Sequence, residues 1–193
     1  MTLMKAFLRV GMVFCCLLVA TKISAQDNNS PQLATPTQIC EYDHLIMAEA
    51  KKIGWDWRLL ASIIYQESRF KPDLINHKGA FGLMQLMPII MRKYNITHES
   101  SVEEQLEAGG KLLMDLNSKL SGIVTDSLER INFVLASYNA GLSRVMDYRE
   151  QALQDGNDPN LWADNVELYS PKQTLIFVKE INERYEHYKS IVK

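Results

Sequence analysis

One carboxylate in this chain stands where its neighbours argue for chemistry. Glu67 follows Leu60 by seven residues, Ile63 by four and Ile64 by three, so on a helix it shares their apolar face. A glutamate there loses part of its hydration, and the helix C-terminus just beyond presents the negative end of the dipole. Both effects disfavour the charged form and raise the pKa. A carboxyl still protonated near neutral pH can act as a general acid, and its conjugate base as a general base. The same spacing also allows the last turn to fray and leave Glu67 in water, and periodicity alone does not separate the two. Asp73, the nearest downstream acid, follows Pro72 and reads as a turn residue. Further along, Gln85 and Asn139 offer amides and Tyr138 a phenol. Taken singly, Met84 and Met87 read as core filling and Tyr138 as a packed ring. His44, His77, His98 and His187 are isolated, and none pairs with Cys40 at a metal-ligand spacing. Neither a metal nor a cofactor is expected.

Helices must position these groups. The first is expected over residues 37–53, with Gly54 just past its end. The second follows Asp56, a good N-cap, and carries Leu59, Leu60, Ile63 and Ile64 toward Ser68. A loop over 70–80 holds Pro72 and Gly79; a short helix over 81–87 and another after Pro88 follow. Ser101 with Glu104, and Asp126 with Glu129, are capping-box pairs opening two helices, one reaching about Leu120 and the other closed by Gly141. Gly109 and Gly110 on the former would let another backbone approach closely. A helix over 143–153 and a loop over 155–159 come next. Ser170, Pro171 and Gln173 then combine an N-cap, a proline at the first helical position and a glutamine three after the cap. Thr174, Phe177, Val178, Ile181, Tyr185 and Tyr188 continue that last helix as one apolar face. No stretch reads as a strand, so the fold class is all-α.

Three ordered motifs make the chemistry specific: Tyr65-Gln-Glu-Ser-Arg-Phe70, Gly79-Ala-Phe-Gly-Leu-Met-Gln-Leu-Met-Pro88 and Ala136-Ser-Tyr-Asn-Ala-Gly141. In order and at these separations they resemble the family 1 lytic transglycosylases, whose SLT catalytic domain is lysozyme-like. The likeness covers about residues 42–188 and is greatest to the catalytic domain of the membrane-bound F-type enzymes. The resemblance implies a helical lysozyme-like (goose-type) domain with a substrate cleft that cleaves peptidoglycan glycan strands between N-acetylmuramic acid and N-acetylglucosamine. Glu67 would protonate the glycosidic oxygen and then deprotonate the attacking hydroxyl. Ser68 would position substrate or glutamate, and Gly82, Leu83, Met84 and Gln85 would line the cleft. In this role glycine admits a sugar and Gln85 lends its amide. Tyr138 and Asn139 would form the opposite wall. Glycosidases typically need two carboxylates, whereas this family is thought to use one glutamate, assisted by the substrate's N-acetyl group. The C6 hydroxyl of the muramic acid then closes a 1,6-anhydro ring.

The chain departs from that pattern at named places. Asn76 and His77 stand where many relatives have Ser-Pro, so Asn76 becomes a possible cleft residue; His77 reads as a surface residue. Phe177 stands where a tyrosine is usual, and it cannot supply the hydroxyl a tyrosine would direct at the glutamate. The segment between Trp162 and Gln173 is also short for the family.

The first 25 residues carry a basic start, an uncharged run from Val10 to Ala20 and small residues at Ser24 and Ala25. They read as a secretory signal peptide cleaved after Ala25, since a membrane-spanning helix needs about 20 apolar residues. The polar stretch 26–36 reads as a flexible linker and 37–193 as one catalytic domain. Cleavage would remove Cys15 and Cys16, leaving Cys40 without a partner for a disulfide. It would also remove Lys5, Arg9 and Lys22, leaving 18 basic against 23 acidic residues. That balance excludes the basic footprint of a nucleic-acid binder. The expected partner is peptidoglycan, met in the periplasm or cell envelope. Two other readings share the motifs: a muramidase of the same fold that ends the reaction with water, and a peptidoglycan-binding module with weakened catalysis.

Overall fold

The computed structural model describes residues 38–192. The expected signal peptide (1–25) and linker (26–36) lie outside the described residues. Within them the chain forms seven α-helices: α1 (Asp43–Ile53), α2 (Trp57–Ser68), α3 (Pro88–Tyr94), α4 (Val102–Ser121), α5 (Ser127–Ala140), α6 (Leu142–Gln154) and α7 (Lys172–Ile191). A single 3-10 turn, Val166–Tyr169, precedes α7. No strand occurs among the described residues, only isolated bridges from Phe81 to Ile75 and to Leu86. The all-α class holds.

The core gathers around α2 and α5. Leu59, Leu60, Ala61, Ile63 and Ile64 of α2 are buried, as are Phe133, Val134, Leu135 and Ala136 of α5. A helix buried on more than one side needs neighbours all round. α2 packs on α1 and α7, while α5 packs on α4, α6 and α7. The Ser101 capping box on α4 is complete, and Gly54 ends α1 in the left-handed conformation.

Several boundaries differ from the pattern-based expectation for physical reasons. α1 begins at Asp43 instead of residue 37, because the Asp43 carboxylate accepts the Ile39 and Cys40 backbone N–H groups at 2.7 and 2.9 Å. Those bonds hold the preceding residues in a turn. The short helix expected over 81–87 is absent. Phe81 and Leu86 exchange backbone hydrogen bonds (3.1 and 2.9 Å) across a tight loop, and the positive φ of Gly82 (79°) and Gln85 (46°) cannot continue a helix. Asp126 caps α5 through Leu128 and Glu129, but Glu129 turns away to accept from the Trp162 backbone N–H at 3.0 Å. Ser170 does not cap α7; its hydroxyl donates to the Glu167 carbonyl at 2.8 Å. Gly109 and Gly110 admit side chains where a backbone was expected. A Cβ on either would collide with Met84 or Glu49 respectively.

One clasp fixes α2 against α7. Asp56 caps α2 by accepting from Arg58 N at 2.9 Å and pairs with the Arg58 guanidinium at 2.6 Å. Tyr185 of α7 donates to the same carboxylate at 3.2 Å, and Arg58 reaches the Val192 carbonyl at 3.1 Å. The Arg58 side chain, joined by its backbone N–H, holds the Asp56 carboxyl below its ordinary value of 3.8. A lowered carboxylate pKa stabilises the fold above pH 3.8, and that contribution is lost as pH falls through the folded value. Asp56→Ala is expected to lower the unfolding free energy by about 1–2 kcal/mol at neutral pH. The loss should be smaller in acid below the folded pKa, as read from urea denaturation at both pH values.

Candidate active site

Glu67 lies in the last turn of α2, and that turn does not fray. The Ser68 hydroxyl is buried and donates back to the Ile64 carbonyl at 3.2 Å. Beyond it, Arg69 and Phe70 are both left-handed (φ 53° and 62°), with Arg69 N–H bonded to the Tyr65 carbonyl at 2.9 Å. Two consecutive side-chain-bearing residues in that region store strain and stop the helix abruptly. Glu67 is therefore held in place, half-buried, on the wall of a cleft of about 500 Å³.

Gln66, Glu67, Asn139, Lys172, Gln173, Ile176 and Phe177 line that cleft. Among the described residues no group hydrogen-bonds to the Glu67 carboxyl. Burial alone pushes its pKa from 4.5 up to about 8. A group with that value keeps its proton at neutral pH and can give it up and regain it with little cost.

The second motif forms an irregular loop between α2 and α3. Asn76 works inside it: its side-chain oxygen accepts from Lys78 and Ala80 N–H at 2.8 and 3.1 Å. Gly82 is required for reasons other than access for a sugar. Its φ is positive, and a Cβ would strike the side-chain amide of Gln105. Leu83 and Met84 do not line the cleft with their side chains, which are fully buried in the core. Gln85 donates from its side-chain nitrogen to the Leu74 and Gly82 carbonyls at 2.9 and 3.0 Å, so its donors are spent on the loop and only its oxygen stays free to bind. Tyr138 donates to the Met84 carbonyl at 2.6 Å. Burial, and then the negative charge of Glu67, push its phenol well above the ordinary value. Asn139 accepts from the Thr174 hydroxyl at 3.0 Å, tying α5 to α7.

Of the residues singled out in the sequence, Glu67, Asn139 and Phe177 therefore share one cleft. Ser68, Asn76, Gly82, Leu83, Met84, Gln85 and Tyr138 are not among the residues lining it, and Tyr138 connects α5 to the 82–85 loop. Lys172, Gln173, Ile176 and Gln66 escaped notice as cleft residues. Gln173 reads in the sequence only as part of a helix start, and Lys172 carries no mark there. Gln105 also escaped. It is 2% exposed, accepts from Leu83 N–H at 2.9 Å and donates to the Ser100 carbonyl at 3.0 Å. Nothing in the α4 pattern marks it.

Comparison with known proteins places the chain in a family. The family described as Transglycosylase SLT domain matches residues 44–160. The chain belongs to that family. It is 36% identical over 132 residues to a membrane-bound lytic murein transglycosylase F from Desulfosudis oleivorans, covering 68% of this chain and 29% of that protein. The protein of the same name from Stutzerimonas stutzeri is 35% identical, over 64% of this chain and 25% of its own length. The chain thus spans under a third of these relatives. Among solved structures, the 70 kDa soluble lytic transglycosylase of Escherichia coli superposes with a TM-score of 0.59 at 22% identity, covering 77% of this chain and 24% of that one. An inactive mutant of lytic transglycosylase Slt from Pseudomonas aeruginosa gives 0.58 at 22% identity, over 82% and 25%. The shared fold is the lysozyme-like helical domain.

Two expectations follow. Gln105→Met keeps the volume but strands the buried Leu83 N–H, and should lower stability by about 1–3 kcal/mol in urea denaturation. Glu67→Gln should act in the opposite direction. Between pH 4.5 and about 8 the unfolded chain releases a proton that the folded chain retains, so stability falls as pH rises. The substitution should change little below pH 4.5. Its stabilising effect should grow through that window and level off above it at roughly a few kcal/mol, measured by urea denaturation across pH.

Proposed function

We propose that this chain is a lytic transglycosylase that cleaves peptidoglycan glycan strands between N-acetylmuramic acid and N-acetylglucosamine, with Glu67 as its single acid and base. The observation that carries the proposal is that Glu67 is the one carboxylate among the residues lining the cleft. It is half-buried and has no hydrogen-bond partner of its own among the described residues. Retaining and inverting glycosidases typically place two carboxylates across the scissile bond. A lone acid suits a reaction in which the substrate supplies the rest. The names of the relatives, membrane-bound lytic murein transglycosylases, point to the same chemistry and to the cell envelope as its place.

In the proposed reaction, protonated Glu67 gives its proton to the glycosidic oxygen as the bond to the muramic acid C1 breaks. The neighbouring N-acetyl oxygen stabilises the electron-poor carbon. The resulting carboxylate then takes the proton of the C6 hydroxyl while that oxygen bonds to C1, closing the 1,6-anhydro ring and restoring the acid. No water is consumed. Asn139, already accepting from Thr174, keeps its amide N–H groups free for the sugar, and Gln66 and Gln173 add further amides along the groove. Ile176 and Phe177 supply apolar surface for a sugar face.

Mass spectrometry of purified peptidoglycan digested by the chain, beside Glu67→Gln, tests the proposal. The native chain should release 1,6-anhydromuropeptides and the variant none. The native rate should fall about tenfold per pH unit above the Glu67 pKa of about 8. Products with a reducing end would instead make the chain a muramidase. Strand binding without cleavage would make it a recognition module.

A further inference from the structure

A hydroxyl is set into the apolar face of α7. Thr174 lies in the first turn of that helix, in line with Phe177, Val178 and Ile181, and is 3% exposed. A hydroxyl withdrawn from water must still place its proton on an acceptor. Within a helix, threonine commonly returns it to the carbonyl one turn back. Thr174 does not. Its hydroxyl crosses to α5 and donates to the Asn139 side-chain oxygen at 3.0 Å, and it has no other acceptor among the described residues.

That bond decides which end of Asn139 faces away from α7. A side-chain amide carries an acceptor at one end and two N–H donors at the other, and turning it over exchanges them at nearly the same shape. The Thr174 proton needs an oxygen, so the oxygen of Asn139 is held against α7 and its nitrogen is turned outward. The nitrogen has no hydrogen-bond partner among the described residues. Asn139 is only half-buried, on the wall of the cleft that holds Glu67. Gln85 is the contrasting case, with its nitrogen spent on two carbonyls and only its oxygen left over.

We propose that Thr174 is a positioning residue for substrate binding: it fixes the Asn139 amide with its nitrogen toward the cleft, so that this point pairs with an acceptor oxygen of the glycan. The inference rests on the glycan reading of the cleft given above and adds to it a residue that never touches the substrate. Without the Thr174 hydroxyl, the nitrogen-outward amide would press an unpaired oxygen against α7. The amide would then turn over in part of the molecules and present oxygen to oxygen. The apparent affinity falls with the fraction of molecules that keeps the binding orientation, while the packing of α7 is unchanged.

The test is isothermal titration calorimetry of the full chain carrying Glu67→Gln, which prevents cleavage. The probe is a soluble tetrasaccharide of alternating N-acetylmuramic acid and N-acetylglucosamine. Thr174→Val keeps the shape and removes the hydroxyl, and should weaken binding about fivefold. Thr174→Ser keeps the hydroxyl and should recover most of that loss. In an Asn139→Ala background, Thr174→Val should have no further effect. Asn139→Asp retains an oxygen for Thr174 but sets a second oxygen where the nitrogen stood, and should weaken binding about tenfold. That variant leaves α7 untouched, so it decides the matter even if Thr174→Val fails to fold. Unchanged binding by Thr174→Val or by Asn139→Asp overturns the proposal. So does a loss that persists in the Asn139→Ala background or that Thr174→Ser does not repair, because a merely structural role gives those results. All of these leave the glycan reading standing. No binding by the Glu67→Gln chain itself overturns that reading, and the role of Thr174 with it.

Discussion

A carboxyl group withdrawn from water and given no donor in exchange destabilises whatever fold contains it, and the organisation around Glu67 answers to that constraint. The position of the carboxyl is set by α2 and its last turn, and both are fixed by interactions remote from the carboxyl. At the start of α2, Asp56 joins the helix cap to Arg58 and to Tyr185 of α7. At its end, the buried Ser68 hydroxyl and the left-handed Arg69 and Phe70 fix where the helix stops. The apolar face between them, Leu60, Ile63 and Ile64, is wholly buried. The hydrophobic core thus provides the free energy that keeps an unfavourable carboxyl in position.

The loop between α2 and α3 is built by the same logic with polar groups. A buried loop has backbone N–H and C=O groups that water cannot reach, and each must find a partner. Gln105 supplies one to Leu83, Gln85 supplies two to the Leu74 and Gly82 carbonyls, and Tyr138 supplies one to Met84. Glycine at 82 follows from this packing, since the Gln105 amide occupies the space of its missing Cβ. Residues that look like substrate ligands when they are seen as a motif are thus largely consumed in holding the loop.

This difference explains what could be seen in the sequence. The helices follow from caps and apolar spacing, so Asp56, Ser101, Gly54 and the stripes of α2 and α4 were legible. The 81–87 segment was not. Its apolar residues fit a helix as well as a buried loop, and only the positive φ of Gln85, enforced by contacts distant in sequence, decides between them. Glu67 was legible as an oddity on an apolar face, and the ordered motifs gave it meaning. Gln105 was invisible because a buried glutamine and a surface glutamine look alike within one helix. Lys172 and Gln173 were hidden for another reason: a helix start reads the same in sequence wherever the fold carries it.

Phe177 ties these strands together. A tyrosine there could have offered a hydroxyl to the carboxylate, and a hydrogen bond to the charged form lowers a carboxyl's pKa. Phenylalanine offers none, and the Tyr138 hydroxyl is already committed to Met84. With no donor bonded to it among the described residues, burial alone sets the carboxyl's affinity for its proton, at about 8. In the proposed reaction this favours the first step, because the acid is present at neutral pH. It leaves the second step to the substrate, whose C6 hydroxyl becomes a hydrogen-bond donor to the newly formed carboxylate. A base stabilised beforehand by a protein hydroxyl would have had less need to take that proton. The substitution is therefore compatible with a working acid and base and moves part of its stabilisation from the protein to the sugar.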